Sequence, residues 1–296
     1  MRDVPGSPAD LMRFAAYAVR VTTADARGLR RAPDEPLSAA WARFGAVGTD
    51  LLAPFFAGVV FDDSLSTSRR FADLLLRWFV RGPPAVPALG MQAMPDQLAR
   101  GVAVRLRAPV RAVTASTAST DDVTWHARAV VVATDAPAAA DLLPGLEVPQ
   151  MRAGTTWWHL ADAPGPALTN GDAVLVVEPR RTGPLVNSVV VSNAAPGYAA
   201  HGRALVASTA LGLDGDEGDV RAQLSRLYGC DVGGWDTVAV HRIPGAVPAC
   251  APGTSLRKPA THDGVHVAGD HRDTASIQGA LVSGRRIADA VARSFA

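Results

Sequence analysis

The chain has 296 residues, enough for two domains or one large one with a substantial core, and its formal net charge of +1 argues against electrostatic docking to nucleic acid. Hydrophobic residues make up 48% and charged residues 19%, the balance of a folded globular protein rather than a disordered one. Cys230 and Cys250 fall in neither metal-type nor redox-type spacing, the opening residues lack the apolar core of a secretory signal, and no run is long enough to span a bilayer. These features predict a cytoplasmic protein with free thiols.

The first hundred residues read as helical. PADLMRFAAYAVRVTTADARGLRR, PLSAAWARFG and SRRFADLLLRWFVRG each repeat apolar positions at helical spacing, with Phe71, Leu74, Leu75 and Trp78 on one face of the third. Ser7 and Pro8 mark the start of the first helix, Gly82, Pro83 and Pro84 the end of the third, and MPDQLARG predicts a further short helix. LLAPFFAGVVF, Leu51 to Phe61, is interrupted by Pro54 and Gly58, and two readings stay open for it: a buried helix or loop, or a patch making peripheral contact with a membrane surface.

From Val102 the texture changes to short β-branched segments: VAVRL, PVRAVTAS, DDVTWHA and RAVVVATD. Further strands are expected in TTWWHLA, DAVLVVE, LVNSVVVS, ALVAST and WDTVAVHRIP, with one amphipathic helix at DEGDVRAQLSRLYG carrying Val220, Leu224 and Leu227 on a face. Four segments result: a helical region 1–100, a β-meander 101–145, a sheet with a helix 146–250, and a closing strand and helix 251–296.

The closing stretch, GVHVAGDHRDTASIQGALVSGRRIADAV, carries the chemistry. VHVA is a short apolar strand ending at Gly269, where a missing side chain lets another group approach the backbone, and Asp270 stands at the strand tip, where ligands sit in open sheets. A helix follows, capped by Thr274 or Ser276, and its first-turn amides from Ser276 to Gly279 point at any ligand oxygen that bears negative charge. Gly279 with Ser283, and Ala280 with Gly284, form a small-residue strip for close packing.

AGDHRDTASIQGALVSGRRIADAV resembles the C-terminal flavin-binding motif of the flavin amine oxidase, protoporphyrinogen oxidase and phytoene desaturase superfamily. The resemblance implies that Gly269 and Asp270 meet the ribityl chain of a non-covalent FAD, and that the backbone at Ser276, Ile277 and Gln278 faces the pyrimidine edge of its ring. FFAGVVFDDSLSTSRRFADLLLRWFVRGPPAVPALGMQAMPDQLA is similar to the phytoene desaturase-like branch. PVRAVTAS resembles the strand whose valine, here Val113, meets the adenine, and ARAVVVATDAP places Thr134 and Asp135 near the cofactor. RIPGAVPA, beginning at Arg242, resembles the strand that approaches the flavin ring; with Trp157 and Trp158 it is read on the substrate side, although tryptophans in strands are more often core.

The implied fold is α/β, a flavoprotein with an FAD/NAD(P)-binding type of cofactor domain built from discontinuous pieces and a mixed helical and β-sheet substrate domain. The family's opening βαβ unit, with its G-x-G-x-x-G loop for the FAD pyrophosphate, has no counterpart in this sequence, so the FAD site is expected to be incomplete here: the chain resembles a truncated member, or one half of a split enzyme whose missing unit a separate partner chain supplies. The implied activity is hydride transfer from an apolar or amine-bearing small molecule to flavin N5. No side chain is singled out as a catalytic acid or base. Lys258, the only lysine, lies in a late loop rather than where the amine oxidase subgroup carries its lysine. His262, Asp263, His266, Asp270, His271 and Asp273 crowd together, but strand character at VHVA works against a metal site. The rival reading is a non-catalytic accessory protein that keeps the fold without FAD.

Overall fold

The computed structural model of the chain describes residues 5–82, 84–199 and 202–295. The first elements are helices: α1 (Pro8–Thr23), α2 (Ala26–Arg31), α3 (Leu37–Ala42), a π-helical turn (Val47–Leu52) running into α4 (Ala53–Val60), α5 (Arg69–Arg81) and α6 (Ala93–Leu98). Short strands β1 (Ala112–Val113), β2 (Thr117–Ser119), β3 (Thr124–His126) and β4 (Val131–Val132) lead to α7 (Ala136–Leu142). Then come β5 (Met151–Ala161), α8 (Gly165–Thr169), β6 (Leu175–Val176), β7 (Leu185–Val190), α9 (Val191–Ala194), β8 (Ala204–Leu211), α10 (Glu217–Tyr228) and β9 (Asp236–Pro248). The chain closes with β10 (Thr261–His262), β11 (Val265–Val267), a 3-10 turn at Asp270–Arg272 and α11 (Ile277–Ser294). No helix among the described residues is long and apolar enough to cross a membrane.

These elements form two compact units, each discontinuous in sequence: residues 1–101 with 152–246, and residues 102–151 with 247–296. The helical region and the central sheet share the first unit, and the meander and the closing segment share the second.

In the first unit, polar caps cut what periodicity reads as one helix over PADLMRFAAYAVRVTTADARGLRR into two. Asp25 leaves the helix and its Oδ1 accepts from the Gly28 amide at 2.5 Å, so a new N-terminus starts there. LLAPFFAGVVF is helical, with Leu52, Phe56 and Val60 buried, and Phe56 meets Trp41 edge to face at 4.6 Å. Phe71, Leu74 and Leu75 of α5 are buried on one face as their spacing requires.

The sheet of this unit runs β6-β7-β8-β5-β9. β5 pairs antiparallel with β8, Trp157 opposite Ser208, and β7 pairs antiparallel with β8, Ser188 also opposite Ser208. Val220 and Leu224 of α10 pack into a core with Trp157, Leu185, Val190, Val206 and Trp235. Each fully buried aliphatic or aromatic side chain there contributes about 1.5–3 kcal/mol. Gln223, buried inside, accepts from the Leu185 amide (2.7 Å) and donates to the Leu185 carbonyl (3.1 Å), acting as an extra strand residue. The Ser188 hydroxyl shares hydrogen bonds with Ser208 (2.9 Å) and Tyr228 (2.8 Å), and burial pushes the Tyr228 phenol up to about 12.

The second unit is smaller and holds two three-stranded sheets, β1-β2-β3 and β10-β11-β4, the pair β11 and β4 being parallel. Val130, Val132, Ala139, Leu143, Leu146, Val265 and Val267 form its core. The sequence predicts a strand at VAVRL; the segment is irregular, with Val102, Val104 and Leu106 exposed. Alternation makes a segment able to enter a sheet, but the neighbouring ladder decides whether it does.

Candidate cofactor site

Every residue expected near the cofactor lies in the second unit, and the substrate-side residues Trp157, Trp158 and Arg242 lie in the first. The residues expected there are gathered by the parallel pair: His266 lies opposite Val131 and Val267 opposite Val132, so both strands end side by side. This brings Thr134, two residues past β4, against Gly269, two past β11: a Cβ at Gly269 would lie 3.5 Å from the Thr134 carbonyl oxygen. The same Cβ would lie 2.5 Å from the His271 ring, and Gly269 holds φ +153°, so backbone conformation and space both demand glycine. The Gly269 amide donates to the Ser283 hydroxyl of α11 at 2.7 Å, which ties the strand tip to the helix.

Ser276, not Thr274, caps α11: its Oγ accepts from the Gly279 amide at 3.0 Å. No group among the described residues takes up the amides of Ile277 and Gln278, and both residues are exposed, so the positive helix end faces outward with two free donors. The small-residue strip divides in two. A Cβ at Gly279 would sit 1.8 Å from the Thr274 carbonyl oxygen, whereas one at Gly284 would meet nothing within 4 Å.

Asp270 stands half-exposed at the start of the 3-10 turn, its Oδ1 3.8 Å from His271 Nδ1. His271 is buried, and neither of its ring nitrogens has a hydrogen-bond partner among the described residues, although an unpaired buried polar group is costly. Beneath the turn, Arg272 donates to the Glu147 carbonyl (3.2 Å) and the Pro259 carbonyl (2.9 Å). Burial, reinforced by the nearby Arg286 guanidinium and opposed by Glu147, holds the Arg272 pKa below the usual arginine range. Asp273 accepts from the Thr274 amide and lies 3.4 Å from Arg257 Nε, so the loop between Gly269 and Ser276 is anchored from below.

Asp135 caps α7, its Oδ1 accepting from the Ala138 amide at 3.0 Å, and the Thr134 hydroxyl donates to the Asp135 carbonyl. One Asp135 oxygen is thereby committed to structure. Val113 pairs with Ala118 in the meander, and its side chain packs against the Val130–Val267 core. On the substrate side, Trp157 is buried in the core of the first unit, against Gly215, and fills space there rather than lining a cavity; its position on the inner face of β5 dictates this. Trp158 points to the other face and is half-buried, and Arg242 Nε donates to the Leu213 carbonyl at 3.3 Å. The His262 ring bonds the Pro144 carbonyl (3.0 Å), and no His, Cys, Asp or Glu group among the described residues is arranged to hold a metal. The Lys258 amide donates to the Arg272 carbonyl at 3.0 Å, so its backbone too belongs to the loop's anchorage.

Sequence reasoning missed His271 as a buried unpaired ring and Ser283 as the hydroxyl that fixes the strand tip. Ser283 was within reach, four residues after Gly279 on the strip; the burial of His271 has no local signal.

The profile of the family described as flavin containing amine oxidoreductase matches residues 15–292. The chain belongs to this family. No curated protein matches it in sequence. Among solved structures it is similar to an oxidoreductase from Methanosarcina mazei, with TM-score 0.69 and 16% identity over 96% of this chain and 73% of that one. It is also similar to a putrescine oxidase bound to putrescine, with TM-score 0.66 and 15% identity over 99% of this chain and 78% of that one. A candidate protoporphyrinogen oxidase from Exiguobacterium sp. 255-15 gives TM-score 0.66 and 14% identity over 96% and 72% of the two chains. The fold is therefore that of the flavin-dependent amine oxidases, and family membership makes the chain a flavin oxidoreductase.

The second unit fits a flavin on its own terms. It presents a glycine cradle that a Cβ would fill, free helix-end amides, a half-exposed carboxylate and an unpaired buried imidazole at one strand tip.

Proposed function

We propose that the chain carries the flavin-facing half of an FAD-dependent oxidoreductase that takes hydride from an apolar or amine-bearing small molecule. The observation that carries this reading is the convergence of Gly269, Asp270, Thr134 and the open end of α11 at one strand tip. The flavin, when bound, supplies the hydride acceptor. The protein's own residues bind and orient. Asp270 accepts hydrogen bonds from hydroxyls, and the backbone at Gly269 lets a chain of such hydroxyls lie close. The Ile277 and Gln278 amides donate to an oxygen that gains negative charge, and the helix dipole reinforces them. Such chemistry depends on orientation and water exclusion more than on a side-chain acid or base. Trp158 and Arg242 belong to the substrate side in this reading.

This sequence contains no G-x-G-x-x-G loop, and in this reading a segment outside it, in the same or a separate polypeptide, holds the FAD pyrophosphate. The test is FAD titration followed by flavin absorbance and fluorescence, with the chain alone and in its assembled form. Asp270→Ala is expected to weaken FAD binding by about 1.5–3 kcal/mol, the range for hydrogen bonds to a charged group. Unchanged FAD affinity in that variant sinks the Asp270 assignment, and failure of both forms to retain flavin leaves the non-catalytic accessory reading.

A further inference from the structure

The second half of α11 concentrates positive charge that no flavin contact uses. Val282, Arg285, Arg286, Asp289 and Arg293 recur three or four residues apart and share one helix face. Arg257, from the loop before β10, joins them, and the six residues line a cavity of about 320 Å³ within the second unit. Four arginines against one aspartate leave the lining with a formal charge of +3, in a chain whose total is +1.

The carboxylates nearby do not neutralise it. Asp273, buried behind the loop, is shared between Arg257 Nε at 3.4 Å and Arg286 Nη1 at 3.9 Å. Arg286 Nη2 also donates to the Lys258 and Arg272 carbonyls, both at 3.2 Å, so this guanidinium is fixed at the cavity wall. Arg285, Asp289 and Arg293 are exposed, and among the described residues no carboxylate lies within ion-pair distance of the Arg285 or Arg293 guanidinium. The buried Arg272 registers the excess. After burial itself, the Arg286 charge is the next cause that holds its pKa below the usual arginine range, and its Nε has no partner among the described residues. The helix dipole accounts for a cation in the last turn, Arg293, but not for Arg257, Arg285 or Arg286.

Guanidinium groups gathered around one cavity repel each other unless an anion lies between them. A carboxylate brings one charge and two oxygens, which a single guanidinium fork satisfies. A terminal phosphate brings about two negative charges and three acceptor oxygens, enough to engage one fixed fork and further mobile ones. Val282 and the arginine stems supply apolar contact for whatever carries the phosphate. We propose that this cavity binds the terminal phosphate or diphosphate group of a small molecule, with Arg286 as the fixed contact and Arg257, Arg285 and Arg293 closing on it. The site is distinct from the flavin-facing end of the helix, since Arg286 is nine residues past Ile277, about 14 Å along the axis. It does not depend on the flavin reading.

The test is calorimetric titration of the full 296-residue chain with pyrophosphate, inorganic phosphate and acetate, beside flotation with phosphatidylcholine vesicles with and without phosphatidic acid. Pyrophosphate is expected to bind most tightly and acetate at least tenfold more weakly, with affinity falling as salt screens the charges. Arg285→Gln combined with Arg293→Gln removes two exposed guanidinium groups, so the melting temperature should hold while pyrophosphate affinity falls at least tenfold. Arg285→Lys keeps the charge, loses the fork and should fall between. Binding of phosphatidic acid vesicles without the soluble anions upholds the phosphate site and assigns its source to a lipid headgroup; pyrophosphate binding without vesicle binding assigns it to a soluble phosphorylated molecule. Absence of binding to every phosphate probe overturns the inference. So does pyrophosphate binding that the double variant leaves intact, or equal affinity for acetate or for polyglutamate. FAD titration of the double variant separates the two sites: unchanged flavin behaviour is expected, and a loss of flavin affinity parallel to that of pyrophosphate overturns the claim of a distinct site. The phosphate result stands whether or not the chain retains flavin.

Discussion

The two units place their unpaired polar groups differently. The first closes on itself: a five-stranded sheet, a helix packed flat on it, and buried polar groups such as Gln223 and Ser188 fully engaged. The second keeps groups unengaged around one strand tip, with free amides at Ile277 and Gln278, a His271 ring without partners and an open side on β4. Buried polar atoms without partners among the described residues occur in both units: in the first, Trp41 Nε1 and His159 Nδ1 lie inside its packing, whereas in the second the His271 ring lies at the strand tip proposed to meet the cofactor.

Substitutions can sharpen this contrast. The largest effect is expected at Leu224, fully buried in the first unit, where Leu224→Ala should lower stability by about 2–5 kcal/mol in denaturant unfolding. FAD contacts of the second unit should be unaffected wherever the variant remains folded. Next comes Gly279→Ala. Its Cβ would collide with the Thr274 carbonyl, and relief of that overlap should cost about 1–3 kcal/mol, with loss of flavin affinity because the cap at Ser276 shifts. Gly284→Ala, five residues further on in open space, should stabilise α11 by about 0.5–1 kcal/mol and leave flavin titration unchanged; equal outcomes for the two glycines would erase the distinction drawn between them.

The smallest effect is a slope. Burial raises the Asp73 carboxyl above its ordinary 3.8, against the hydrogen bond from Tyr17 and the charges of Arg69 and Arg20. The folded state then holds the proton more tightly than the unfolded state. Its contribution to stability is full below pH 3.8 and is lost as pH rises through the raised value. Asp73→Asn should flatten that fall in a plot of melting temperature against pH; a parallel curve would show that Asp73 titrates normally.

Much of this was legible in residues. Helical spacing located α5 and α10, and Ser7, Asp216 and Ser276 stand where their helices start. Caps and periodicity are local, decided by groups within four residues of each other. The Gly-Asp step and the small residues after it pointed to the strand tip for the same reason, since a positive φ at Gly269 and a tight turn at Gly279 are local demands.

Other features depended on distant neighbours. VAVRL has the alternation of β-structure but no ladder, and WDTVAVHRIP extends to a thirteen-residue strand because the edge of β5 is there to receive it. Nothing near Trp157 or His271 distinguishes a residue sealed in a core from one lining a cavity; that is settled by what packs across from it. The sequence by itself determined most of the helices, several of their caps and the glycine that the strand tip requires. Only tertiary structure decided which segments share a unit, which apolar residues stay exposed and which polar atoms are left unpaired, because pairing and burial are properties of contacts between residues a hundred positions apart.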